Sequence, residues 1–488
     1  MIRISKSDYV LGIKCPNALW FKNFRKDLIP EKNDVVLSRG TSVGELACDR
    51  FPGGVRITAK PWEEQALIQT KNAMDDGVPY IYEATFATET GEYCAVDILK
   101  NNGDGTWSII EVKSTTGLHD YHSLDVSFQR YVCEKVGVKI SGAGVLTLNS
   151  RYVRRGDLDL QQLFELHCVD DLLQDLETVE KEVARLRAFL AGPEIGVAIS
   201  KVKCAKFYEC GYKYHCWKDV PQYSVFNAFR GKQADEIYEK YGVDLENVPS
   251  ELYARQLHKG DIEAFLDNVQ LLDAAALRSF MAELKYPLYF LDYESIQSAV
   301  PMFDNSRAYQ QICFQFSLHV QRKPGAELEH YEYLHDVAGT DPRPGLLKKL
   351  VDVIGNTGSV VVYNRSFEEG ANKAMAVDFP EYADALRKIN ERIVDLMLPF
   401  RQRMLYRPCQ KGGYSIKQTL PAFVPDMSYD ALGIHNGSQA SGEFMDFMLG
   451  QQAPDVTQKM MENLLEYCGQ DTLAMVRLLD VVRGFAQG

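Results

Sequence analysis

Four cysteines at the two ends of one long segment constrain the fold of this chain more than any other feature. Cys15 lies near the start, in KCPNALWF, and Cys204, Cys210 and Cys216 follow far downstream, in CAKFYECGYKYHCW. If all four sulfurs bind one centre, they tie the beginning and the end of a domain together. The chain has 11 cysteines, an odd number, which favours metal ligands or buried thiols over a set of disulfides.

A chain of 488 residues is too long for one ordinary core, so we expect two domains and connecting helices. No uncharged apolar run approaches the roughly 18 residues that span a bilayer, and the first residues are not a secretory signal. A cytoplasmic protein without a membrane partner is therefore expected. The net charge of −13 argues against a simple nucleic-acid coat protein. It does not exclude a metal-dependent nuclease, because metal ions cancel part of the carboxylate charge in such sites.

The spacing of apolar residues predicts two α/β regions. Strands are expected over 80–113, interrupted by the turn-rich NNGDG, and a helix is expected over 120–137. Residues 157–191 predict one or two long amphipathic helices, and 222–283 predict a charged helical stretch. A second strand-rich block begins at YPLYFLDYES and continues to SVVVYN. The chain closes with a predicted helix, MENLLEYCGQDTLAMVRLLDVV.

The first candidate site lies on a predicted β-hairpin, CAVDILK followed by TWSIIEVKS. With Lys100 opposite Thr106, Asp97 is expected diagonally across from Glu111 on one sheet face, and Lys113 shares that face. Two carboxylates at this separation can hold Mg²⁺, and a nearby lysine can orient or deprotonate a water molecule. Phosphodiester hydrolysis needs this set of groups. The alternative interpretation is an exposed strand with an ordinary Glu–Lys pair.

This D-x(13)-E-x-K pattern resembles the PD-(D/E)xK nuclease superfamily, and specifically its RecB-like members. Gln129, in SFQRYV, resembles the helical glutamine of that group, but Tyr131 follows after two residues instead of the usual four. We therefore carry over Gln129 alone as a catalytic residue. RGTSVGELA resembles the first helix motif, which usually presents a histidine to metal. Glu45 is the nearest substitute here and is expected either to bind metal or to be a surface residue, and Glu83 is a further, more structural acid.

The layout of the four cysteines resembles the iron–sulfur nucleases of the CRISPR-associated RecB-like family and of the AddB helicase–nuclease subunit. In those proteins one cysteine precedes the nuclease core, three follow it, and together they hold a 4Fe–4S cluster. The resemblance implies the same role for Cys15, Cys204, Cys210 and Cys216. Paired Cys-x(2–4)-Cys knuckles are absent, so a zinc finger is a poor match. Zinc in the same four thiolates, or buried thiols without metal, remain as alternatives.

The second candidate site combines three separate motifs. YFLDYES places Asp292 and Glu294 on one face at the end of an apolar strand, where two acids cost free energy unless cations bind them. VVVYNRSFEEG places Glu368 on the helix after a buried strand. EYCGQDT sets Tyr467 and Asp471 four residues apart, so both lie on one helical face. Taken singly, each residue has an ordinary structural explanation as a strand-end cap, a surface charge or a core tyrosine.

In this order the three motifs resemble the DEDD family of 3′–5′ exonucleases, which have an RNase H-like fold. The resemblance implies that Asp292, Glu294, Glu368 and Asp471 hold two metal ions and that Tyr467 positions the attacking water. Position 466 is a glutamate instead of the histidine of the other subtype, which favours the tyrosine subtype. Glu368 departs from the aspartate usual in this family, and its extra methylene leaves the activity of the second site open.

YNRSFEE, PMFDNSRAYQQICFQFSLH and GGYSIKQTLPAF also resemble a bacterial family of uncharacterised proteins that fuses these two nuclease types. The fold class implied is α/β throughout. A restriction-endonuclease-like iron–sulfur domain is expected over 1–221, a helical connector over 222–283, and an RNase H-like exonuclease domain over 284–488.

We therefore expect a nuclease with two active sites that depends on Mg²⁺ or Mn²⁺. DNA with single strands or free ends is the favoured substrate, in repair, recombination or defence, with a helicase or defence-system partner left open. RNA is the alternative substrate for the second domain. A different class of protein, a scaffold that binds nucleic-acid ends with one site inactive, is the alternative function.

Overall fold

The computed structural model describes residues 2–28, 43–193, 196–253 and 259–488. The chain divides into two compact units, of which unit 1 comprises Met1–Val220 with Ser298–Tyr309, and unit 2 comprises Pro221–Gln297 with Gln310–Gly488. Both units are mixed α/β structures. Residues 222–283, expected to be a connector, fall within unit 2. None of the helices in the described ranges has both the length and the apolar character needed to cross a bilayer.

Unit 1 is built on a seven-stranded sheet whose main order is β2–β3–β4–β5–β6–β7. Its strands are Ile4–Ser5 (β1), Val55–Arg56 (β2), Tyr80–Ala87 (β3), Glu92–Asn101 (β4), Trp107–Val112 (β5), Ile140–Leu148 (β6) and Phe164–Cys168 (β7). β3, β4 and β5 form an antiparallel meander, and β6 then pairs in parallel with β5. β1 lies off this path and pairs in parallel with the first residues of β4.

The helices of unit 1 are Lys6–Lys14 (α1), Pro16–Phe24 (α2), Glu64–Asp75 (α3), Asp120–Lys135 (α4), Leu160–Leu163 (α5), Leu176–Leu190 (α6), Lys201–Ala205 (α7) and Lys213–Cys216 (α8), with a further helical stretch over 43–50. α4 is the crossover between the parallel strands β5 and β6, as parallel pairing requires. It buries Phe128 and Val132 in the core that α1, α2 and α6 share with one face of the sheet. This packing fixes the face of α4 that meets β4 and β5.

Unit 2 contains a five-stranded sheet in the order β11–β10–β9–β12–β13 and a separate two-stranded ribbon, β8–β14. Its strands are Leu271–Leu272 (β8), Leu288–Ile296 (β9), Ile312–Gln321 (β10), Leu328–Leu334 (β11), Ser359–Val362 (β12), Ile393–Asp395 (β13) and Leu405–Tyr406 (β14). β9, β10 and β11 are antiparallel, whereas β12 and β13 extend the sheet in parallel. The central strand β9 is almost wholly buried, which explains its continuous apolar run.

The helices of unit 2 are Val225–Ala228 (α9), Gly231–Tyr241 (α10), Ser250–Tyr253 (α11), Lys259–Asp267 (α12), Ala274–Glu283 (α13), Arg343–Val353 (α14), Arg365–Asp378 (α15), Ala383–Asn390 (α16), Leu398–Arg401 (α17), Ile416–Phe423 (α18), Gly437–Met448 (α19) and Pro454–Gln487 (α20). The long helix α20 packs along β9 and β10. Apolar residues of α14, α15 and α16 pack with these strands in one core cluster. The acidic motifs of unit 2 therefore lie on elements held by extensive packing.

Most predicted elements agree with the structure, but the segment 157–191 differs. It forms the short helix α5, the strand β7, a 3₁₀ turn at Asp170–Leu172 and then α6, where long helices were predicted. Phe164–Cys168 pairs antiparallel with β6 and completes that side of the sheet. The long-helix prediction was wrong because pairing with an available sheet edge outweighs the local helical pattern. Only Leu176–Leu190 keeps the predicted amphipathic helix.

Candidate functional site

The hairpin of β4 and β5 brings Asp97 and Glu111 closer together than the sequence suggested. Lys100 pairs with Ser108, and the expected pairing with Thr106 was wrong by two residues. The turn is centred one residue later than predicted, at Asp104, between two glycines with positive φ, Gly103 and Gly105. Extending the observed register past the pair Ile98–Ile110 places Asp97 directly opposite Glu111. The two carboxylates therefore face each other across neighbouring strands.

Asp97 lies where two different strands, β1 and β5, pair with the same edge of β4. β5 pairs with the second half of β4, whereas β1 takes the same edge at Glu92 and Tyr93. Between these two stretches, the side chain of Asp97 takes the place of a backbone hydrogen-bonding partner, because its Oδ2 accepts a hydrogen bond of 2.7 Å from the backbone N–H of Val112. α1 begins directly after β1, and this brings Lys6 to the carboxylates.

Glu111 is fully surrounded by donors. Lys6 Nζ lies 2.6 Å from its Oε1 and Lys113 Nζ lies 2.8 Å from the same oxygen. Gln129 Nε2 donates to Oε2 at 2.5 Å. The carboxylate is 1% exposed, so these contacts replace water almost completely. Three predicted residues, Glu111, Lys113 and Gln129, thus meet at one point, and Lys6 joins them.

α4 supplies more of this site than Gln129 alone. Asp125 accepts an ion pair from Lys113, and His122 lies a turn earlier on the same helix. The spacing of 122, 125 and 129 places all three on one helical face, a signal that the sequence offered and the prediction missed. Gln129 is 0% exposed, and its Oε1 has no hydrogen-bond partner among the described residues.

The charges in this site divide the two carboxyls into opposite states. Burial and the neighbouring Glu111 raise the pKa of Asp97 to about 7. Burial also acts on Glu111, but the ammonium groups of Lys113 and Lys6 outweigh it and lower its pKa. Burial likewise opposes the charge on both lysines, yet Glu111 raises the pKa of each. Near neutral pH, Asp97 can therefore exchange a proton while Glu111 stays ionised.

Glu83 is the further acid nearest to this pair. The register of β3 and β4 places it opposite Asp97, and its φ of 61° lies in the left-handed region that a glutamate rarely adopts. Burial raises the pKa of its carboxyl. Backbone strain of this kind is concentrated at functional sites. The sequence prediction had assigned Glu83 a structural role.

Glu45 has a different environment. It is exposed on the helical stretch 43–50. The main groups acting on the Asp97 carboxyl are Glu111, Lys6 and Glu83, so the structure does not bring Glu45 into this set. The same stretch instead approaches through Cys48, whose thiol is influenced by Glu83 and Asp97 and has a pKa raised to about 11, mainly by burial. Metal binding by Glu45 stays a prediction.

Cys15, Cys204, Cys210 and Cys216 form one electrostatic group in unit 1. Burial raises the pKa of the Cys216 thiol to about 11, and Cys210, Cys204 and Cys15 add to the shift in that order. Cys15 lies at the junction of α1 and α2, whereas the other three lie on or between α7 and α8. The two distant ends of this segment therefore meet around the sulfurs, as the sequence spacing predicted.

Sulfur spacing bears on which centre these thiols fit. Among the described residues, the only set of three or more His, Cys, Asp or Glu side chains with ligand atoms all within 4.8 Å lies in unit 2, so no three of these sulfurs are that close. A single zinc ion with Zn–S bonds of about 2.3 Å draws its ligands closer together than this limit. A four-iron cluster is larger and needs wider spacing. Four thiolates are a ligand set for either a 4Fe–4S cluster or a zinc ion.

Lys14 connects the same two ends without using the sulfurs. It is 3% exposed, and its Nζ donates to the carbonyl oxygens of Lys206, at 2.7 Å, and of Tyr208. Burial lowers the pKa of this ammonium, and the nearby Cys210 acts in the opposite direction. These bonds help to hold the strand of chain between Cys204 and Cys210 against α1.

In unit 2, three of the predicted acids converge. Asp292 and Glu294 project from β9 and Asp471 from α20, and their ligand oxygens all lie within 4.8 Å of one another. The i, i+2 spacing on a strand and the packing of α20 along β9 produce this convergence. Carboxylate oxygens at this spacing are the ligand set that Mg²⁺ and Mn²⁺ prefer.

Burial, with crowding at Asp292 and Glu294, raises the pKa of all three carboxyls. Burial, followed by Asp471, raises the pKa of Glu294 to about 8. Burial raises the pKa of Asp471 to about 6, and raises that of Asp292 well above its usual range. The site in unit 1 differs, because two lysines neutralise its carboxylates. In the described part of the chain, Asp292, Glu294 and Asp471 have no such ion pair, and they gain the most from a divalent cation.

Glu368 is close to this group but outside it. It lies in the first turn of α15 and is 1% exposed, and its Oε2 has no hydrogen-bond partner among the described residues. Burial raises its pKa to about 8, with Asp395 adding to the shift. It also acts on the Asp292 carboxyl. Asn364, which precedes α15, has a φ of 85°, so the chain enters this helix through a strained residue.

Two tyrosines and a lysine border the acids. Tyr429 donates a hydrogen bond of 2.5 Å to Asp471 Oδ1, and the ring of Tyr467 lies 6.0 Å from that of Tyr429. Burial and Asp471 raise the pKa of both hydroxyls, so both stay protonated and can donate. Lys417 Nζ lies 5.3 Å from each ring centroid. The sequence analysis identified Tyr467 but missed Tyr429 and Lys417, because neither lies in one of the acidic motifs from which the site was predicted.

Comparison with known proteins adds a family likeness for part of the chain. Residues 289–415 match a domain family described as a domain of unknown function, DUF2779. This segment contains Asp292, Glu294 and Glu368 and ends before Tyr467 and Asp471.

Two curated relatives share about half of this chain. "Uncharacterized protein UU173" of Ureaplasma parvum serovar 3 is 25% identical over 284 residues, which are 53% of this chain and 40% of that protein. "Uncharacterized protein MG366 homolog" of Mycoplasma pneumoniae is 27% identical over 307 residues, or 54% and 45%. The chain thus spans less than half the length of these relatives. No solved structure matches it.

Proposed function

We propose that the chain is a Mg²⁺- or Mn²⁺-dependent nuclease with one phosphodiester-cleaving site in each unit. The observation that carries this proposal is the convergence of Asp292, Glu294 and Asp471, with ligand oxygens within 4.8 Å of one another. Because burial raises the pKa of all three carboxyls, a bound divalent cation would stabilise their ionised form. DNA with single strands or free ends is the proposed substrate, by resemblance to iron–sulfur RecB-like nucleases, and repair, recombination or defence is the proposed role.

In unit 2, Asp292, Glu294 and Asp471 would hold a divalent ion, and Glu368, whose charge acts on the Asp292 carboxyl, would contribute to a second, weaker ion position. The metal would supply charge that neutralises the phosphate and polarises water. Tyr467 carries a protonated hydroxyl beside Asp471 and would orient the attacking water towards the phosphorus. This arrangement supports a DEDD-type 3′–5′ exonuclease of RNase H-like fold, the specific class proposed for this unit.

In unit 1, Asp97 and Glu111 would hold the metal, in a PD-(D/E)xK-type site. Glu111 is kept ionised by Lys6 and Lys113, and Gln129 fixes the direction of its second oxygen. Lys113 is the cation that would face the attacking water, and Asp125 holds it in position. The metal would add the charge needed to stabilise the phosphorane-like transition state.

Cys15, Cys204, Cys210 and Cys216 are proposed to hold a 4Fe–4S cluster in unit 1. Such a cluster would join α1 and α2 to the segment around α7 and α8, and its loss would loosen the domain more than it would alter the chemistry. Support comes from the meeting of Cys15 with Cys204, Cys210 and Cys216 in one electrostatic group. Zinc in the same thiolates is the outcome that metal analysis would distinguish.

The decisive experiment uses end-labelled single-stranded DNA, duplex DNA and RNA with anaerobically purified protein and Mg²⁺ or Mn²⁺. Asp292→Asn and Lys113→Ala are each expected to remove a different metal-dependent product pattern. Glu466→Gln, at an exposed position on α20, and Glu165→Gln, at an exposed position on β7, are matched controls that should cleave normally. If the wild-type protein cleaves none of the substrates with either metal, the nuclease proposal fails.

A scaffold that binds nucleic-acid ends is the second candidate for unit 2. It is favoured by one observation, namely that Glu368 lies outside the set of three carboxylates within 4.8 Å. A site that binds one ion and a DNA end without turnover would show metal-dependent binding in the same assays. Cleavage that is lost in Asp292→Asn but retained in Lys113→Ala would exclude this candidate.

A further inference from the structure

Lys417 lies at the entrance to the acidic site of unit 2. It belongs to α18 and is exposed, in contrast to the buried acids. Its Nζ donates to the carbonyl oxygen of His435 at 2.5 Å, which fixes where the ammonium lies. The same nitrogen is 5.3 Å from the ring centroids of Tyr429 and Tyr467, so it lies over the two tyrosines that border Asp471.

The position of this ammonium is directed towards the metal ligands. Its charge acts on both Glu294 and Asp471, one from β9 and one from α20. Its hydrogen bond goes to the His435 carbonyl oxygen and not to either acid. An exposed cation held near carboxylates without being paired to them retains its capacity to bind an incoming anion.

Glu368 gives a second reason to expect an additional positive charge here. It is the fourth acid of the motif but lies outside the set of three, so the described ligand oxygens gather around one ion position. A scissile phosphate with developing charge on its oxygens requires more positive charge than one divalent ion supplies easily. Lys417 is placed to supply it.

We propose that Lys417 binds a non-bridging oxygen of the scissile phosphate in unit 2 and so acts as a catalytic cation beside the metal. The inference rests on the proposed nuclease function. It identifies a residue that would contact the phosphate of the substrate whatever the base sequence. No bond to Lys417 forms or breaks; it contributes hydrogen bonds and charge as negative charge develops on the phosphate.

DNA binding without turnover tests the phosphate contact directly. The probe is a 5′-fluorescein-labelled oligothymidylate with a free 3′ end, titrated by fluorescence anisotropy in Ca²⁺ over a range of salt concentrations. For one lost phosphate contact, Lys417→Ala should reduce the slope of log affinity against log salt by about 0.7. Lys417→Arg should keep the wild-type slope. Lys459→Ala removes an exposed lysine of α20 and serves as the control with an unchanged slope.

Two further measurements separate this role from mere support of the tyrosines. Lys417→Ala should lower kcat by about 10²-fold, as loss of one transition-state donor does. The same variant should bind Mn²⁺ more tightly, by about two- to tenfold, because a cation near the ligands has been removed. A purely structural role predicts weaker or unchanged Mn²⁺ binding. An unchanged salt slope or an unchanged kcat would overturn the proposal.

Failure of this inference can be told apart from failure of the nuclease proposal. If Asp292→Asn abolishes the unit 2 product pattern while Lys417→Ala behaves as wild type in every assay, the nuclease proposal stands and only the role of Lys417 is rejected. If no variant or wild type cleaves, the nuclease proposal is rejected, and the salt dependence of binding still decides whether Lys417 contacts phosphate.

Discussion

Replacing Glu294 with glutamine should stabilise the metal-free protein while removing activity of unit 2. Glu294 is 8% exposed, and burial together with Asp471 raises the pKa of its carboxyl from 4.5 to about 8. A carboxyl whose pKa is raised on folding binds a proton more tightly in the folded state. Its contribution to stability is therefore present below the unfolded pKa and is lost as the pH rises from about 4.5 to 8.

The magnitude follows from this shift. At pH 7 the unfolded carboxyl has been ionised over about 2.5 pH units in which the folded one keeps its proton, which costs at most about 3 kcal/mol. Glutamine mimics the protonated acid and avoids this cost. For a domain of this size, the gain corresponds to a rise in Tm of about 5–10 °C. At pH 5 the difference should fall below about 1 kcal/mol.

The assay is thermal unfolding in EDTA and in saturating Mn²⁺, across pH 5 to 9, with Glu466→Gln as the exposed control on α20. Mn²⁺ should stabilise the wild type, because the ion binds only the folded ligands, and should stabilise Glu294→Gln much less. If Glu294→Gln in EDTA is no more stable than the wild type at pH 8, the three carboxyls are not crowded together, and the reasoning is refuted.

Three more outcomes are expected. Lys6→Ala should reduce the cleavage rate of unit 1 at least tenfold and make that rate depend on pH, because one cation that keeps Glu111 ionised is lost. Lys6→Arg should retain most activity, and equal rates for Lys6→Ala and the wild type would contradict this. Cys216→Ser should remove the absorbance near ~400 nm of anaerobically purified protein. Cys168→Ser, which changes an exposed thiol outside the group of four, should keep that absorbance, and a colourless wild-type protein that contains zinc would reject the cluster. Glu368→Asp, which shortens the side chain, should change the number of Mn²⁺ ions bound to unit 2 by calorimetry, and unchanged stoichiometry and rate would remove Glu368 from the site.

Local sequence determined a large part of both sites. The i, i+2 spacing of Asp292 and Glu294 on an apolar strand and the i, i+4 spacing of Tyr467 and Asp471 on a helix place each pair on one face without any tertiary information. Periodicity likewise fixes which face of β5 carries Glu111 and which face of α4 carries Gln129. These predictions succeeded because backbone periodicity fixes side-chain direction over a few residues, and the periodicity is legible in the chain.

Contacts between distant segments were decided by tertiary structure. Lys6 contacts Glu111, 105 positions further along the chain, because β1 pairs with the part of the β4 edge that β5 does not cover. No local sequence pattern indicates this pairing. Lys417 meets Tyr467 because α18 packs against α20. The hairpin register depended on the residue at which the glycine turn is centred. Side chains that lie far apart in sequence are brought together by packing of whole elements, whose free energy is spread over many residues and leaves no short motif.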